Sequence, residues 1–218
     1  MPCTIAKNVV KYKVMICART LLARAMKGGC TVLLEKHLVP DYIFDRYDDI
    51  TPAFLSSIGV RALLIDIDNT LAPYEQPDPD ERNFAWVAAM REAGIGLTFV
   101  SNNHRERVER FAAPLGVRAF WDAGKPLRKT LDKAMAEMGC TPKDTAMLGD
   151  QLLTDAYAGK HIGLPALIVP PIRDKANPFF RFKRLLERPF IRKYVRQHGY
   201  APYHAFWHVK PVTEETEN

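Results

Sequence analysis

Asp66 and Asp68 close the stretch Ala62–Leu63–Leu64–Ile65–Asp66–Ile67–Asp68–Asn69–Thr70, and two carboxylates two positions apart can do chemistry that one cannot. Side chains alternate along an extended chain, so the pair leaves it on one side. Like charges held close push one pKa up unless something neutralises them. A divalent magnesium ion does so, because it prefers oxygen ligands. The same residues also admit a plain structural role, with Asp68–Asn69 as a turn or cap pair and Asp66 an incidental acid. The four apolar residues before them have no helical period and are bounded by Gly59. They predict a buried parallel strand, and the carboxyl ends of such strands are where open α/β sheets bind ligands.

Three further clusters carry chemistry. Val100–Ser101–Asn102–Asn103 follows a second apolar run, and Gly124–Lys125–Pro126 opens a helical pattern. Met147–Leu148–Gly149–Asp150–Gln151–Leu152–Leu153–Thr154–Asp155 ends another apolar run in two more acids. Singly, each has an ordinary role as a turn and helix cap, a solvated lysine or a pair of loop acids. In this order and at these intervals they resemble the four signature motifs of the haloacid dehalogenase (HAD) phosphohydrolases. The wording DxDNT, SNN, KP and GDQLLTD is similar to the YqeG-like group of HAD subfamily IIIA, which in turn resembles phosphatidylglycerophosphate phosphatases. The likeness runs from about Leu34 to Gly199. Asn69 stands where many HAD relatives carry glycine, which the subgroup accommodates.

The resemblance implies hydrolysis of a phosphate monoester. That reaction needs an in-line nucleophile, charge neutralisation on the phosphoryl oxygens and a proton for the leaving alkoxide. Asp66 would form an aspartyl-phosphate; Asp68 would protonate the leaving oxygen and then activate water. In the resembled family, Mg²⁺ is held by a carboxylate oxygen of the first aspartate, the main-chain carbonyl of the second and the first acid of the fourth motif. Those positions are Asp66, Asp68 and Asp150. Ser101 and the Asn102 backbone N–H would bind the phosphoryl oxygens, and Lys125 would offset the charge shared by Asp66 and the phosphate. Asp155 would support the metal through water or orient Lys125. Thr70 would shape the turn or hydrogen-bond an aspartate.

Something must position these groups. Thr51–Pro52 reads as N-cap and N1 of a helix ahead of the first strand, with Tyr42, Phe44 and Tyr47 packing on the core. Asp78–Pro79–Asp80–Glu81 reads as N-cap, N1 and a capping box for the next helix, with Phe84, Val87, Ala88 and Met90 as its apolar stripe and Gly94 as its stop. Strands follow at Ile95–Val100, Val117–Trp121, Thr145–Leu148 and Pro165–Val169. Helices lie between them at Arg105–Ala113, over the stripe Leu127, Leu131, Ala134, Met135 and Met138, and at Thr154–His161. This alternation predicts an α/β, three-layer Rossmann-like (HAD-like) parallel sheet flanked by helices. One helix and one strand use up each of the intervals Asp68–Ser101 and Ser101–Lys125. The family places cap domains there, so the chain reads as capless. Its site is expected to stand open to large substrates.

The chain has 218 residues, 47% hydrophobic, with 31 Lys and Arg against 25 acids for a net charge of +6, a balance that favours anionic partners. Four cysteines without metal-site spacing read as reduced thiols of a cytosolic protein and do not indicate zinc. Residues 1–34 form a basic extension with no acid, and uncharged runs such as Val14–Ala18 are too short to cross a membrane. Residues 35–172 make the catalytic domain, and 173–218 a basic arm. In that arm Pro189 is expected to split two short helices. A helical wheel gathers Phe179, Phe182, Leu186, Phe190, Ile191 and Tyr194 opposite Arg181, Arg184, Arg188 and Arg192, with Lys183 and Lys193 as exceptions. Such a helix either packs on the sheet or lies on anionic lipid. The substrate expected is phosphatidylglycerophosphate at the cytoplasmic face of a membrane, with contact to that surface. Soluble sugar, nucleotide, protein or polynucleotide phosphates are the alternative. An RNA- or ribosome-binding module on the same scaffold is less consistent, because it would retain Asp66, Asp68 and Asp150 without purpose.

Overall fold

The structure is a computed structural model that describes residues 31–173 and 178–198, with side chains from Leu34 and, in the last helix, from Phe180. Residues 1–30 of the basic extension, including Cys3, Cys17 and Cys30, and the tail from Gly199 lie outside the described residues, as does the side chain of Phe179.

Six parallel strands make one sheet: β1 Tyr42–Ile43, β2 Ala62–Ile65, β3 Gly96–Val100, β4 Arg118–Phe120, β5 Thr145–Gly149 and β6 Ala166–Ile168, in the order β1-β6-β5-β2-β3-β4. Helices α1 Thr31–Leu38, α2 Pro52–Ser57, α3 Glu81–Glu92, α4 Arg105–Leu115, α5 Lys129–Met138, α6 Tyr157–His161 and α7 Pro178–His198 cover it. Alternation along the strands divides the core. Leu63, Ile65, Phe99 and Leu148 meet Leu55, Trp86, Met90 and Phe111 of α2, α3 and α4 on one face. Leu64, Val100 and Met147 meet Leu131 and Met135 of α5 and Ala158 of α6 on the other, and Ala166 and Ile168 meet Leu34, Ile191 and Tyr194 of α1 and α7. Each fully buried large apolar side chain contributes roughly 1.5–3 kcal/mol. The result is the three-layer sheet that the strand–helix alternation implied.

Several local expectations are corrected. Helix α3 is capped by Asp80, not Asp78. The Asp80 carboxylate accepts the Asn83 N–H at 3.0 Å while Asn83 Oδ1 accepts the Asp80 N–H at 3.0 Å. The Asp78 carboxylate is engaged by Arg110. Phe84 stands exposed, and Trp86 takes the inward place, its indole N–H donating to the Ile50 carbonyl at 2.9 Å. Leu127 is exposed because α5 starts only at Lys129. The edge strand β1 is two residues long, too short for any period to reveal. Pro189 does not split α7, which runs unbroken from Pro178 to His198. Pro189 and Leu185 are both exposed, so water can satisfy the Leu185 carbonyl that the missing proline N–H leaves free.

Candidate active site

Asp66 follows β2 directly, and its N–H still donates to the Leu148 carbonyl at 2.9 Å, keeping it in register with β5. Strands β2 and β5 are neighbours, and the chain leaves β2 toward β3 on the opposite side. This is the switch point where a crevice opens beyond the strand ends. The turn then folds so that the N–H groups of Thr70, Leu71 and Ala72 converge on the Ile67 carbonyl, with Asn69 at φ 65°. Only glycine, asparagine or aspartate enters that left-handed region cheaply, which accounts for Asn69 at this turn. The Thr70 hydroxyl is buried with no hydrogen-bond partner among the described residues, so its expected bond to an aspartate is not made.

The lysine of the third motif is held from both ends. Asn102 Oδ1 accepts the Lys125 N–H at 2.8 Å and Asn102 Nδ2 donates to the Lys125 carbonyl at 3.0 Å. The Lys125 ammonium sits 2.6 Å from Asp66 Oδ1 and 2.7 Å from Asp155 Oδ1. Burial works against that ammonium, but Asp155 and Asp66 more than offset it and its pKa stands above the ordinary lysine value. Asp68 has its own holders: Asn103 Nδ2 donates to Oδ2 at 2.9 Å, and Arg107 Nη2 lies 3.2 Å from Oδ1. Ser101 Oγ accepts the Asn103 N–H at 3.0 Å. Asp66, Asp68, Ser101, Lys125, Asp150 and Asp155 are all buried.

Carboxylate oxygens of Asp66, Asp150 and Asp155 lie within 4.8 Å of one another. Asp155 reaches them because Leu152–Ala156 winds as one π-helical turn after β5. Gly149 is obligatory there: a Cβ on it would stand 2.4 Å from the Asp155 side chain. Burial pushes the Asp66 carboxyl well above its ordinary range, with Lys125 opposing and Asp155, Asp150 and Asp68 adding to the rise. Asp150 is pushed up to about 6 by burial, against the pull of Arg184. Three buried hard oxygen donors so close together fit a divalent cation. The side chain of Asp68 is not among the three, and Asp155 is.

Sequence reasoning missed the contribution of α7. Arg184 and Lys183, read as outward-facing or exceptional on the wheel, are buried, whereas Phe182 and Leu185 are exposed. Arg184 pairs with the Asp150 carboxylate and donates to the Asp150 carbonyl at 2.6 Å. It also pairs with Glu187, at 2.9 Å, which accepts the Leu153 N–H at 3.2 Å. Lys183 donates to Gln151 Oε1, and the Phe180 ring meets Tyr74 edge-on at 6.4 Å. No wheel drawn for an apolar core can foresee this, because the surface that the start of α7 covers is a cluster of acids. The absence of a cap insertion therefore does not leave the carboxylates open to solvent.

A model of haloacid dehalogenase-like hydrolases matches residues 77–163. The chain is 34% identical to "Probable phosphatase YqeG" of Bacillus subtilis over 165 residues, 76% of this chain and 96% of that protein. The chain belongs to the haloacid dehalogenase-like hydrolases, in the YqeG family. The hydrolase is also 25% identical over 150 residues to "Phosphatidylglycerophosphate phosphatase 1, chloroplastic/mitochondrial" of Arabidopsis thaliana, covering 64% of this chain and 43% of that one. Among solved structures, 3-deoxy-D-manno-octulosonate 8-phosphate phosphatase of Yersinia pestis is 16% identical over 53% of this chain and 67% of its own, with TM-score 0.44. By its family and its YqeG relative the hydrolase is a phosphatase, a phosphoric monoester hydrolase.

Proposed function

We propose that this phosphatase acts on phosphatidylglycerophosphate at a membrane surface, with Mg²⁺ as its cation, through an aspartyl-phosphate on Asp66. A carboxylate oxygen of Asp66 would attack phosphorus as the leaving oxygen takes a proton from Asp68, and Asp68 would then remove a proton from the hydrolytic water. Lys125 would balance charge on Asp66 and the phosphoryl group, with Ser101 and the Asn102 N–H as donors to its oxygens. Asp66, Asp150 and the Asp68 carbonyl would hold the cation, with Asp155 beside them. When bound, the cation supplies the positive charge these acids lack and screens the phosphoryl oxygens.

The observation that carries the lipid reading is the two-sided character of α7. Its inner side presents Arg184 to Asp150, and its outer side exposes Phe182 and Leu185 beside Arg181 and Arg192. Apolar side chains rimmed by arginines suit the interface of an anionic bilayer. The Arabidopsis relative's name points to the same lipid. Among the described residues no helix is long and apolar enough to cross a membrane, so contact would be made from the surface.

The test is orthophosphate release from vesicles containing phosphatidylglycerophosphate and from a soluble panel, each with Mg²⁺ or chelator. Wild type is compared with Asp66→Asn and with Phe182→Ser/Leu185→Ser. The expected result is Mg²⁺-dependent release from vesicles, reduced at least about 10³-fold by Asp66→Asn and selectively on vesicles by the double variant. Release from soluble phosphates alone would refute the lipid assignment. A salt-sensitive RNA affinity without any release would refute the chemistry.

A further inference from the structure

Arg107 lies in the first turn of α4, and beyond its contact with Asp68 it has no role in the proposed chemistry. Its guanidinium is anchored on three sides. Nη1 donates to the Pro77 carbonyl at 3.2 Å, the Phe111 ring centroid lies 5.2 Å from Cζ, and Nη2 is 3.2 Å from Asp68 Oδ1 without the geometry of a hydrogen bond. Nε and Nη2 are both buried, and neither has a hydrogen-bond partner among the described residues. These two nitrogens share one edge of the guanidinium. With that same edge Arg46, Arg110 and Arg128 each grip both oxygens of a carboxylate, at 2.8 and 2.6 Å, 2.7 and 2.6 Å, and 2.7 and 3.2 Å. In Arg107 the fork is formed and fixed, but Nε has no partner among the described residues and Nη2 meets only Asp68 Oδ1, as an ion-pair contact without hydrogen-bond geometry. Buried donors are almost always paired, so an unpaired one asks for an explanation.

We propose that Arg107 determines specificity for the leaving group, its Nε/Nη2 edge receiving an oxyanion carried by the departing alcohol. The inference rests on the proposed role of Asp68 as the acid that protonates the leaving oxygen. Lys125 stands on Asp66, the attacking side, 2.6 Å away. Arg107 stands on Asp68, and Asn103 already holds the other Asp68 oxygen. The fork therefore borders the side where the alcohol departs. A phosphodiester or carboxylate presents two oxygens at the spacing the fork accepts, so the favoured substrate is a phosphomonoester whose alcohol bears a second anionic group.

Two water-soluble substrates separate this from the lipid question: glycerol 3-phosphate, whose leaving alcohol is uncharged, and glycerophosphoglycerol phosphate, whose leaving alcohol carries a phosphodiester. For wild type, Arg107→Gln and Arg107→Lys, kcat/KM is measured on both, together with inhibition by inorganic phosphate and the melting temperature. Wild type should favour the diester-bearing substrate. Arg107→Gln should lower that preference roughly 10- to 100-fold, the loss expected for charge-assisted hydrogen bonds, mainly through KM, while Arg107→Lys retains part of it. Equal losses on both substrates with phosphate inhibition intact would mean that Arg107 only holds Asp68, and would overturn the proposal. Equal losses with weakened phosphate inhibition would assign the fork to the scissile phosphoryl group, and would also overturn it. Absence of any preference in wild type does the same. If wild type releases phosphate from neither soluble substrate nor phosphatidylglycerophosphate vesicles, the failure lies with the proposed function itself.

Discussion

Lys125→Met keeps most of the side-chain length while removing the charge that Asp66 and Asp155 share at 2.6 and 2.7 Å. Each contact is worth about 6 kcal/mol of attraction at an effective dielectric near 20, most of it spent against the desolvation of three buried groups. Deleting one partner of such a pair costs about 3–5 kcal/mol, because buried charge is left uncompensated. For a chain of this size that lowers the melting temperature by roughly 10 °C. Part of the loss can be relieved by protonation. Asp66 is already pushed well up by burial, and without the ammonium it rises further, so the destabilisation should be large at pH 7.5 and shrink toward pH 5. The assay is urea denaturation in chelator at both pH values for wild type, Lys125→Met, Asp155→Asn and the double variant. Two buried partners should couple, so the double variant should lose less than the sum of the singles by at least about 1 kcal/mol. Turnover of Lys125→Met should fall at least about 10²-fold. A stability within 1 kcal/mol of wild type at pH 7.5, or strictly additive variants, would refute the reasoning.

Arg184→Ala removes the counter-ion of both Asp150 and Glu187. Hydrogen exchange at Leu153, whose N–H is bonded to Glu187, should rise roughly tenfold or more as α7 loosens locally; unchanged protection would show that the helix is held by its contacts other than Arg184. Gly149→Ala sets a Cβ 2.4 Å from Asp155 and should cost about 1–3 kcal/mol by overpacking, measured by urea midpoint, together with loss of turnover. Asp144 accepts the Thr141 N–H and the Arg61 guanidinium, in that order of effect, and its pKa is lowered from 3.8 to about 2. A lowered carboxyl stabilises the fold above its ordinary pKa and loses that contribution as pH falls through the folded value. Asp144→Asn should therefore melt below wild type at pH 7, and the gap should close between about pH 4 and pH 2. A gap that persists at pH 2 would refute the assignment.

How much was legible depended on range. Strands β2, β3 and β5 announced themselves because each is a short apolar run ending at a polar motif, the pattern of a strand inside a parallel sheet. Lys125 and Asp155 were legible as motif members. That Asn102 clamps the lysine backbone, and that Asn103 holds Asp68, was not, since an SNN turn looks the same whether its amides reach solvent or another strand's loop. Arg107 was hidden for a similar reason: an arginine in the first turn of a helix is ordinary until Asp68 is found beside it.

By itself the sequence determined the order of elements, the parallel sheet and which acids and lysine could share a site, because hydrophobic period and motif spacing are local properties of the chain. The tertiary structure alone decided that α7 turns Arg184 inward and Phe182 outward, and that Arg107 meets Asp68 through Nη2 while its Nε stays unpaired among the described residues. Both follow from electrostatics between residues far apart in the chain. A buried cluster of carboxylates draws cations to whichever surface faces it, and no helical wheel contains that surface.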